Sequence, residues 1–230
     1  MTQTDDPGPR ELTYRQLRFE PPPGALDLVL IRHGESEAYH DGRPFPLAGG
    51  HGDPLLSPLG IEQARRVCAR LATEDVDVIY VSTLRRTAQT AAPLAVALGL
   101  PVHVEPRLRE VHLGEWEGGE FRKMMSAGGA LSQRVVAEER WDLIPGAEPG
   151  AEFSGRIRAG IASLAAEHPG QRVAAFTHGG VIGEVLALAA QSRPFAFTGA
   201  DNASISRLVV SGDRWIVRGF NDTAHLDGLS

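Results

Sequence analysis

The pattern of apolar and polar positions along this chain of 230 residues predicts strands that alternate with helices. Apolar runs, which are typical of buried parallel strands, occupy residues 28–31 and 173–176, and a third, interrupted by Asp77, occupies residues 76–81. Apolar residues recur at helical spacing in the segments 58–71, 91–98 and 153–164. This alternation predicts an α/β fold, namely a three-layer α/β/α sandwich around a mostly parallel sheet.

The remaining apolar segments predict smaller elements. Residues 101–104 predict a short strand, while 205–210 and 215–217 predict a terminal hairpin that turns around Gly212. Residues 119–150 show a less regular pattern, and we interpret them as a helical insertion packed over one end of the sheet.

The chain is expected to consist of an extension and one domain. Residues 1–25 are polar and rich in proline, which predicts an N-terminal extension with one short ordered piece at residues 12–19. They lack the apolar core of a signal peptide, and no later segment is long enough to span a bilayer. Residues 26–230 are expected to form a single domain that carries the insertion at about 119–150.

Composition limits the compartment and the partners. The net charge of −6 argues against nucleic-acid and membrane partners, so an anionic ligand would have to be attracted by local arginines. The one cysteine, Cys68, excludes an intrachain disulfide and favours a cytoplasmic location. Cys68 falls in step with the apolar residues Ala64, Val67 and Leu71, so we expect a buried structural thiol rather than a nucleophile.

Polar turns follow three of the predicted strands, at residues 32–34, 82–86 and 177–179. Ligands of open α/β sheets bind at the carboxyl ends of the strands, so these turns can converge on one site. They would bring together His33, His178, at least two arginines and the carboxylate of Glu110. Taken singly, each would more often be a structural histidine or a surface charge. Together they predict a phosphate site, because arginine forks and helix N-termini favour phosphate oxygens.

The motifs in these turns resemble those of the histidine phosphatase superfamily, which includes phosphoglycerate mutases and many phosphatases. The resemblance begins with Arg32-His33-Gly34-Glu35-Ser36 and covers residues 27 to about 218. Its further segments, in the family's order, are 53–55, 59–60, 63–64, 82–91, 108–118, 177–182 and 202–205. An ordered series of this length is far more specific than one short motif.

The resemblance implies a role for each of five residues. His33 would attack phosphorus and become phosphohistidine. Arg32, Arg86 and His178 would hold the phosphoryl oxygens and stabilise the charge of the transition state. Glu110 would donate a proton to the leaving alcohol and later take one from the water that hydrolyses the intermediate.

Further phosphate contacts are expected from Gly34, Ser36 and Gly179. The resemblance implies no metal and no cofactor, since arginines and a second histidine can supply the positive charge that Mg²⁺ supplies elsewhere. Many members have an asparagine where this chain has Tyr39. That phosphate contact is therefore missing here, or moved to His40 or Ser36.

These features predict a phosphomonoesterase that hydrolyses small-molecule phosphate esters through phosphohistidine, without a metal ion. The first alternative is a phosphoglycerate mutase, which should bring extra basic residues in the insertion. The cations of the insertion are Arg122, Lys123, Arg134 and Arg140. Neighbouring acidic residues offset them, so hydrolysis is favoured. Its prominent apolar residues, which we expect to be core rather than pocket, are Phe121, Met124, Met125 and Trp141.

The second alternative is a catalytically inactive module that binds a phosphate ligand or has a regulatory role. Retention of all five residues of the implied catalytic set argues against it. The expected partner is the small-molecule ester. The sequence leaves the oligomeric state open, including a homo-oligomer.

Overall fold

A six-stranded sheet forms the centre of the fold in a computed structural model, which describes residues 13–229. In chain order the strands are β1 (Leu26–Arg32), β2 (Leu47–Ala48), β3 (His51–Gly52), β4 (Val78–Val81), β5 (Val102–Val104), β6 (Arg172–Thr177), β7 (Ile205–Ser211) and β8 (Arg214–Asp222). The sheet has the order β5-β4-β6-β1-β7-β8, with parallel pairing from β5 to β1 and antiparallel pairing from β1 to β8. The predicted short strand and terminal hairpin are present as β5 and as β7 with β8.

Six α-helices lie within residues 13–229. They are α1 (Pro58–Leu71), α2 (Arg85–Leu98), α3 (Glu120–Ala127), α4 (Ala130–Glu138), α5 (Gly150–Glu167) and α6 (Gly179–Ala190). The start of α1 follows its sequence signals, because the Oγ of Ser57 accepts a hydrogen bond from the Gly60 amide at 3.1 Å. Pro58 then occupies the first helical turn, where no amide hydrogen is needed.

Both faces of the sheet are covered by helices, as the alternation of side chains along β1 shows. Leu28 and Leu30 point to one face and pack in the core formed with α5 and α6. Val29 and Ile31 point to the other face and pack in the core formed with α1 and α2. Successive side chains of a strand point to opposite faces, so one strand contributes to two cores. The predicted three-layer α/β/α sandwich is confirmed.

Helices α3 and α4 make up most of the segment that the sequence predicts to be a helical insertion. They pack around a third apolar cluster, which consists of Trp116, Val135 and Ile144. Met124 and Met125 pack against this cluster from α3. The segment therefore has a small core beside the main sheet.

Two further expectations concern the extension and the cysteine. Residues 13–19 form neither helix nor strand, and Leu12 lies outside the described residues. Cys68 was expected to be buried, but it is half-buried at the border of the core. Burial raises the pKa of its thiol, which disfavours the reactive thiolate. No helix within residues 13–229 is both long enough and apolar enough to cross a membrane.

Candidate active site

The parallel pairing of β1 with β6 brings the two predicted site histidines together. The register pairs Arg32 with Thr177, and the amide of His33 continues the ladder to the Thr177 carbonyl oxygen at 3.0 Å. His33 and His178 therefore follow the carboxyl ends of neighbouring strands. Their ring centroids lie 5.2 Å apart with one ring edge-on to the other.

His33 offers one ring nitrogen to a ligand. Its Nδ1 lies 2.7 Å from the carbonyl oxygen of Gly34, and because a carbonyl oxygen only accepts, Nδ1 carries the proton. In the neutral ring, Nε2 therefore keeps its lone pair, and it makes no hydrogen bond within residues 13–229. Burial, followed by the charges of Arg86 and Arg32, holds the pKa of His33 well below its ordinary value of 6.5. The nucleophilic, unprotonated ring is thus favoured at neutral pH.

The segment before β7 holds the backbone of His33 and the side chain of Arg32. Nδ2 of Asn202 donates to the carbonyl oxygen of His33 at 3.0 Å. Nη1 of Arg32 donates to the carbonyl oxygen of Ala200. Two groups that the resemblance implies for phosphate chemistry are therefore fixed by the same piece of chain. Asn202 lies in a segment of the resemblance but had been given no role.

Arg86, and not Arg85, points into the site. Arg86 is buried at the start of α2, and its Nη1 donates to the carbonyl oxygen of Gly52 at 2.9 Å. Arg85 instead forms an ion pair with Asp53, with its Nε 2.9 Å from a carboxylate oxygen. Burial lowers the pKa of Arg86 to about 10, so its guanidinium remains charged at neutral pH.

His178 is fully buried beside His33. Its Nε2 lies 2.8 Å from Oγ of Ser82, which in turn lies 3.1 Å from Oγ1 of Thr87. Its Nδ1 is buried and has no hydrogen-bond partner in the described part of the chain. Burial holds the pKa of His178 well below 6.5, so the ring is neutral at neutral pH. This network joins two of the three turns that the sequence predicts to converge.

Glu110 faces the two arginines from the loop that follows β5. Its Oε2 accepts from the Gly180 amide at 3.2 Å, and its Oε1 accepts from the Val111 amide at 3.0 Å. The negative charge of Glu110 partly offsets the lowering of the pKa that burial causes at Arg32 and Arg86. A Cβ at position 180 would lie 2.5 Å from Oε1 of Glu110, so a larger residue there would displace that carboxylate. Gly180 lies in a segment of the resemblance but was assigned no role from the sequence.

Arg156, in α5, holds the loop that carries Glu110. Its Nη1 donates to the carbonyl oxygens of Arg107 and Arg109, each at 2.7 Å. Its Nη2 donates to the carbonyl oxygen of Glu110 at 2.9 Å, and its Nε pairs with Glu148 at 2.6 Å. Because three of these acceptors are backbone atoms around Glu110, Arg156 fixes the path of the loop. Arg156 was assigned no role from the sequence.

A cavity of about 340 Å³ opens beside His33. Its charged wall contains Arg32, Arg86, Glu110, Glu117 and Arg122. Its apolar wall contains Phe45, Leu113, Trp116, Phe121 and Trp141. The last two residues, expected to be core, come from the insertion, which therefore lies over the site. The volume is at the small end of the range for small-molecule sites.

Two of the predicted phosphate contacts are glycines, Gly34 and Gly179, and they lie in different surroundings. Gly179 lines the cavity at the start of α6. Gly34 is required by packing, since a Cβ there would lie 2.5 Å from the carbonyl oxygen of Gly60. The amide of Gly34 donates to Oγ1 of Thr90 at 3.0 Å, so it is already occupied. Gly34 therefore has a packing role of its own, and its predicted contact with phosphate stays a prediction.

The segment that follows His33 turns toward the insertion. Oγ of Ser36 accepts a hydrogen bond from Nη2 of Arg122 at 2.6 Å, and the Tyr39 hydroxyl donates to the carboxylate of Glu120. His40 is exposed and does not line the cavity. Tyr39 therefore contacts the insertion and does not line the cavity, and the cation beside Ser36 is Arg122.

His51 and Arg122 are cavity residues that the sequence analysis did not assign to the site. His51 is buried in β3, and its ring centroid lies 4.9 Å from that of His112. Burial lowers the pKa of His51. An isolated histidine and one arginine among four insertion cations carry no distinguishing sequence signal. In the part of the chain that the structure describes, no group of three or more His, Cys, Asp or Glu side chains is placed to hold a metal ion.

Comparison with known proteins gives the family of this site. The sequence model of the histidine phosphatase superfamily (branch 1) matches residues 28–223, from within β1 to just past the end of β8. The chain belongs to the histidine phosphatase superfamily. The resemblance of its motifs is thereby confirmed, and the match includes every predicted site residue.

Histidine phosphatases with different names are similar to this chain. It is 32% identical to phosphoserine phosphatase 1 of Hydrogenobacter thermophilus, over 87% of this chain and 94% of that protein. It is 30% identical to phosphoglycerate mutase-like protein 4 of Arabidopsis thaliana, over 87% of each chain. The solved structure of a mycobacterial glucosyl-3-phosphoglycerate phosphatase has 31% identity and a TM-score of 0.70, over 86% of this chain and 100% of that one.

Proposed function

We propose that the protein is a phosphomonoesterase that hydrolyses small-molecule phosphate esters through a phosphohistidine at His33. The observation that carries the proposal is the free Nε2 of His33, whose ring is held neutral beside Arg32 and Arg86. A neutral imidazole next to two guanidinium groups can attack phosphorus while the cations attract the phosphoryl oxygens.

The first step forms the bond between Nε2 of His33 and phosphorus and breaks the bond between phosphorus and the alcohol oxygen. In the complex, where the bound phosphate dianion opposes a second negative charge beside it, Glu110 carries a proton and gives it to that oxygen as the bond breaks. Arg32, Arg86 and a neutral His178 stabilise the phosphoryl oxygens. The products of this step are the free alcohol and phospho-His33.

The second step is the reverse chemistry with water. Glu110 takes a proton from a water molecule whose oxygen attacks phosphorus, and the bond from phosphorus to Nε2 breaks. Inorganic phosphate leaves, His33 regains its lone pair and Glu110 regains its proton. No other reactant is needed, because the arginines supply the positive charge throughout.

Isomerisation of a phosphoglycerate is the alternative reaction, since some relatives carry mutase names. A mutase has to retain and reorient its intermediate, which calls for several cations in the pocket. Three of the four cations of the insertion form ion pairs of 2.7–2.8 Å with carboxylates: Lys123 with Asp41, Arg134 with Glu138 and Arg140 with Asp142. One cation, Arg122, remains on the cavity wall. A single unpaired cation from the insertion is too little positive charge to retain and reorient such an intermediate. This shortage, together with the relatives named as phosphatases, favours water as the acceptor of the phosphoryl group.

The deciding experiment compares two rates for the same preparation. We expect kcat/KM for hydrolysis of simple monoesters to exceed that for interconversion of 3- and 2-phosphoglycerate primed with the bisphosphate. A higher kcat/KM for the interconversion would establish the mutase. Turnover of neither kind, with a phosphate ester still bound, would establish the inactive binding module.

A further inference from the structure

Arg122 is the one arginine on the cavity wall that the proposed reaction does not use. Its Nη2 donates to Oγ of Ser36 at 2.6 Å, and its Nη1 donates to the carbonyl oxygen of Glu37 at 2.7 Å. Its guanidinium carbon lies 5.1 Å from the centre of the Phe45 ring. Three contacts of different kinds thus hold the guanidinium in place before any ligand binds.

The charge of Arg122 is not neutralised by direct contact with a carboxylate. Within residues 13–229 no carboxylate lies at ion-pair distance from it, although the three other cations of the insertion each have one. Burial lowers the pKa of Arg122, although the residue as a whole is exposed, and the charge of Glu35, beyond ion-pair distance, acts in the opposite direction. A preorganised cation on a cavity wall with no carboxylate in contact is a site for an anion.

Arg122 reaches the cavity from a different part of the fold than the two arginines assigned to the phosphoryl group. It projects from α3, in the insertion that lies over the cavity, whereas Arg32 is the last residue of β1 and Arg86 lies in the first turn of α2. In keeping with this placement, its charge lowers the pKa of His33 less than the charges of Arg86 and Arg32 do. An anion bound by Arg122 therefore belongs to the alcohol portion of the ester.

We propose that Arg122 binds a carboxylate on the leaving alcohol, so that the preferred substrates are phosphate monoesters of hydroxy acids. This inference rests on the proposed phosphatase function. Arginine has five N–H donors, of which Ser36 and Glu37 take one each, so enough remain for a two-oxygen carboxylate. This role for Arg122 reverses the expectation that acidic neighbours offset every cation of the insertion.

The test uses two substrates that differ by one carboxylate, O-phosphoserine and O-phosphoethanolamine. For the wild type, kcat/KM should be higher for O-phosphoserine. Arg122→Met should lower the ratio of the two kcat/KM values by about 10- to 100-fold, mainly through the KM for O-phosphoserine, as expected for loss of a charged hydrogen bond. Arg134→Met is the matched control, since Arg134 lies in the same insertion but is paired with Glu138, and it should leave the ratio unchanged.

Binding to the His33→Ala variant gives a second measurement that needs no turnover. By calorimetry, this variant should bind O-phosphoserine more tightly than O-phosphoethanolamine, and adding Arg122→Met should abolish the difference. An unchanged ratio and an unchanged binding difference, in a folded Arg122→Met protein, would overturn the inference. So would an equal loss on both substrates, because Arg122 would then act on the transferred phosphoryl group. If no monoester were hydrolysed by the wild type, the proposed function would fail, yet the binding comparison would still decide the role of Arg122.

Discussion

The carbonyl oxygen of Gly34 accepts a hydrogen bond from Nδ1 of His33 across 2.7 Å. This contact between neighbours in sequence fixes the tautomer of the ring, because a carbonyl oxygen can bond only a protonated nitrogen. Nε2 is then the nitrogen with a lone pair, and it is the one free for phosphorus. A short polar turn at the end of a buried strand thus sets the chemistry of the side chain.

The first prediction concerns protonation of His33 in the free protein. Burial and the charges of Arg86 and Arg32 lower its pKa, so the ring stays neutral as the pH falls through 6.5 and gains a proton only in more acid solution. NMR titration of the imidazole, with His33→Asn to assign its signal, measures this directly. A pH profile of the enzyme kinetics would also report ionisation of the substrate, since phosphate esters titrate near pH 6. A midpoint at or above 6.5 would contradict the account.

The second prediction concerns the proton that the leaving alcohol needs. Glu110→Gln should reduce kcat/KM for a sugar phosphate by about 10²-fold or more, and for a nitrophenyl phosphate by much less. An alkoxide of high pKa requires protonation as the bond breaks, whereas nitrophenolate does not. A pre-steady-state measurement of the burst of alcohol release separates the first step, phosphorylation of His33, from the later dephosphorylation. An equal loss in the first step on both esters would show that Glu110 orients substrate and donates no proton.

The third prediction treats Arg156 as a positioning residue for Glu110. Arg156→Met removes three hydrogen bonds to the backbone of residues 107–110 and leaves Glu148 unpaired. We expect about a 10-fold loss of kcat/KM on the sugar phosphate and a smaller loss on the nitrophenyl ester. In a Glu110→Gln background the same substitution should cost little further activity, because the two residues act as a unit. Additive losses would mean that Arg156 acts independently of Glu110.

The fourth prediction is that activity survives EDTA. Arg32 and Arg86 line the cavity beside His33, and Arg86, whose pKa is lowered only to about 10, stays cationic at neutral pH. We therefore expect the protein itself to supply positive charge for the transition state. The measurement is kcat/KM before and after exhaustive chelation and dialysis. A loss that a divalent ion restores would refute it.

The sequence predicts the layers of the fold because strand and helix periods are local properties of the chain. It also predicts the convergence of His33, His178 and Glu110, since turns after parallel strands meet at one edge of a sheet. It could not predict Arg122. Arg134 pairs with Glu138 one turn along the same helix, which is a local contact, whereas Arg122 meets Ser36 and the cavity only because of how α3 packs. The sequence could not predict the close packing of Gly34 either, because Gly34 meets Gly60 only when α1 is packed in the folded protein.

The most direct test of the central claim is to find the phosphoryl group on the protein. Wild-type protein quenched during turnover should carry an acid-labile, alkali-stable phosphate that mass spectrometry locates on His33. His33→Ala should carry none and should lose turnover by about 10³-fold or more, because the nucleophile itself is removed. His178 serves as the internal control, since it lies in the same site with its Nε2 beside Ser82. Phosphate on His178, or turnover with no phosphorylated histidine, would contradict the account.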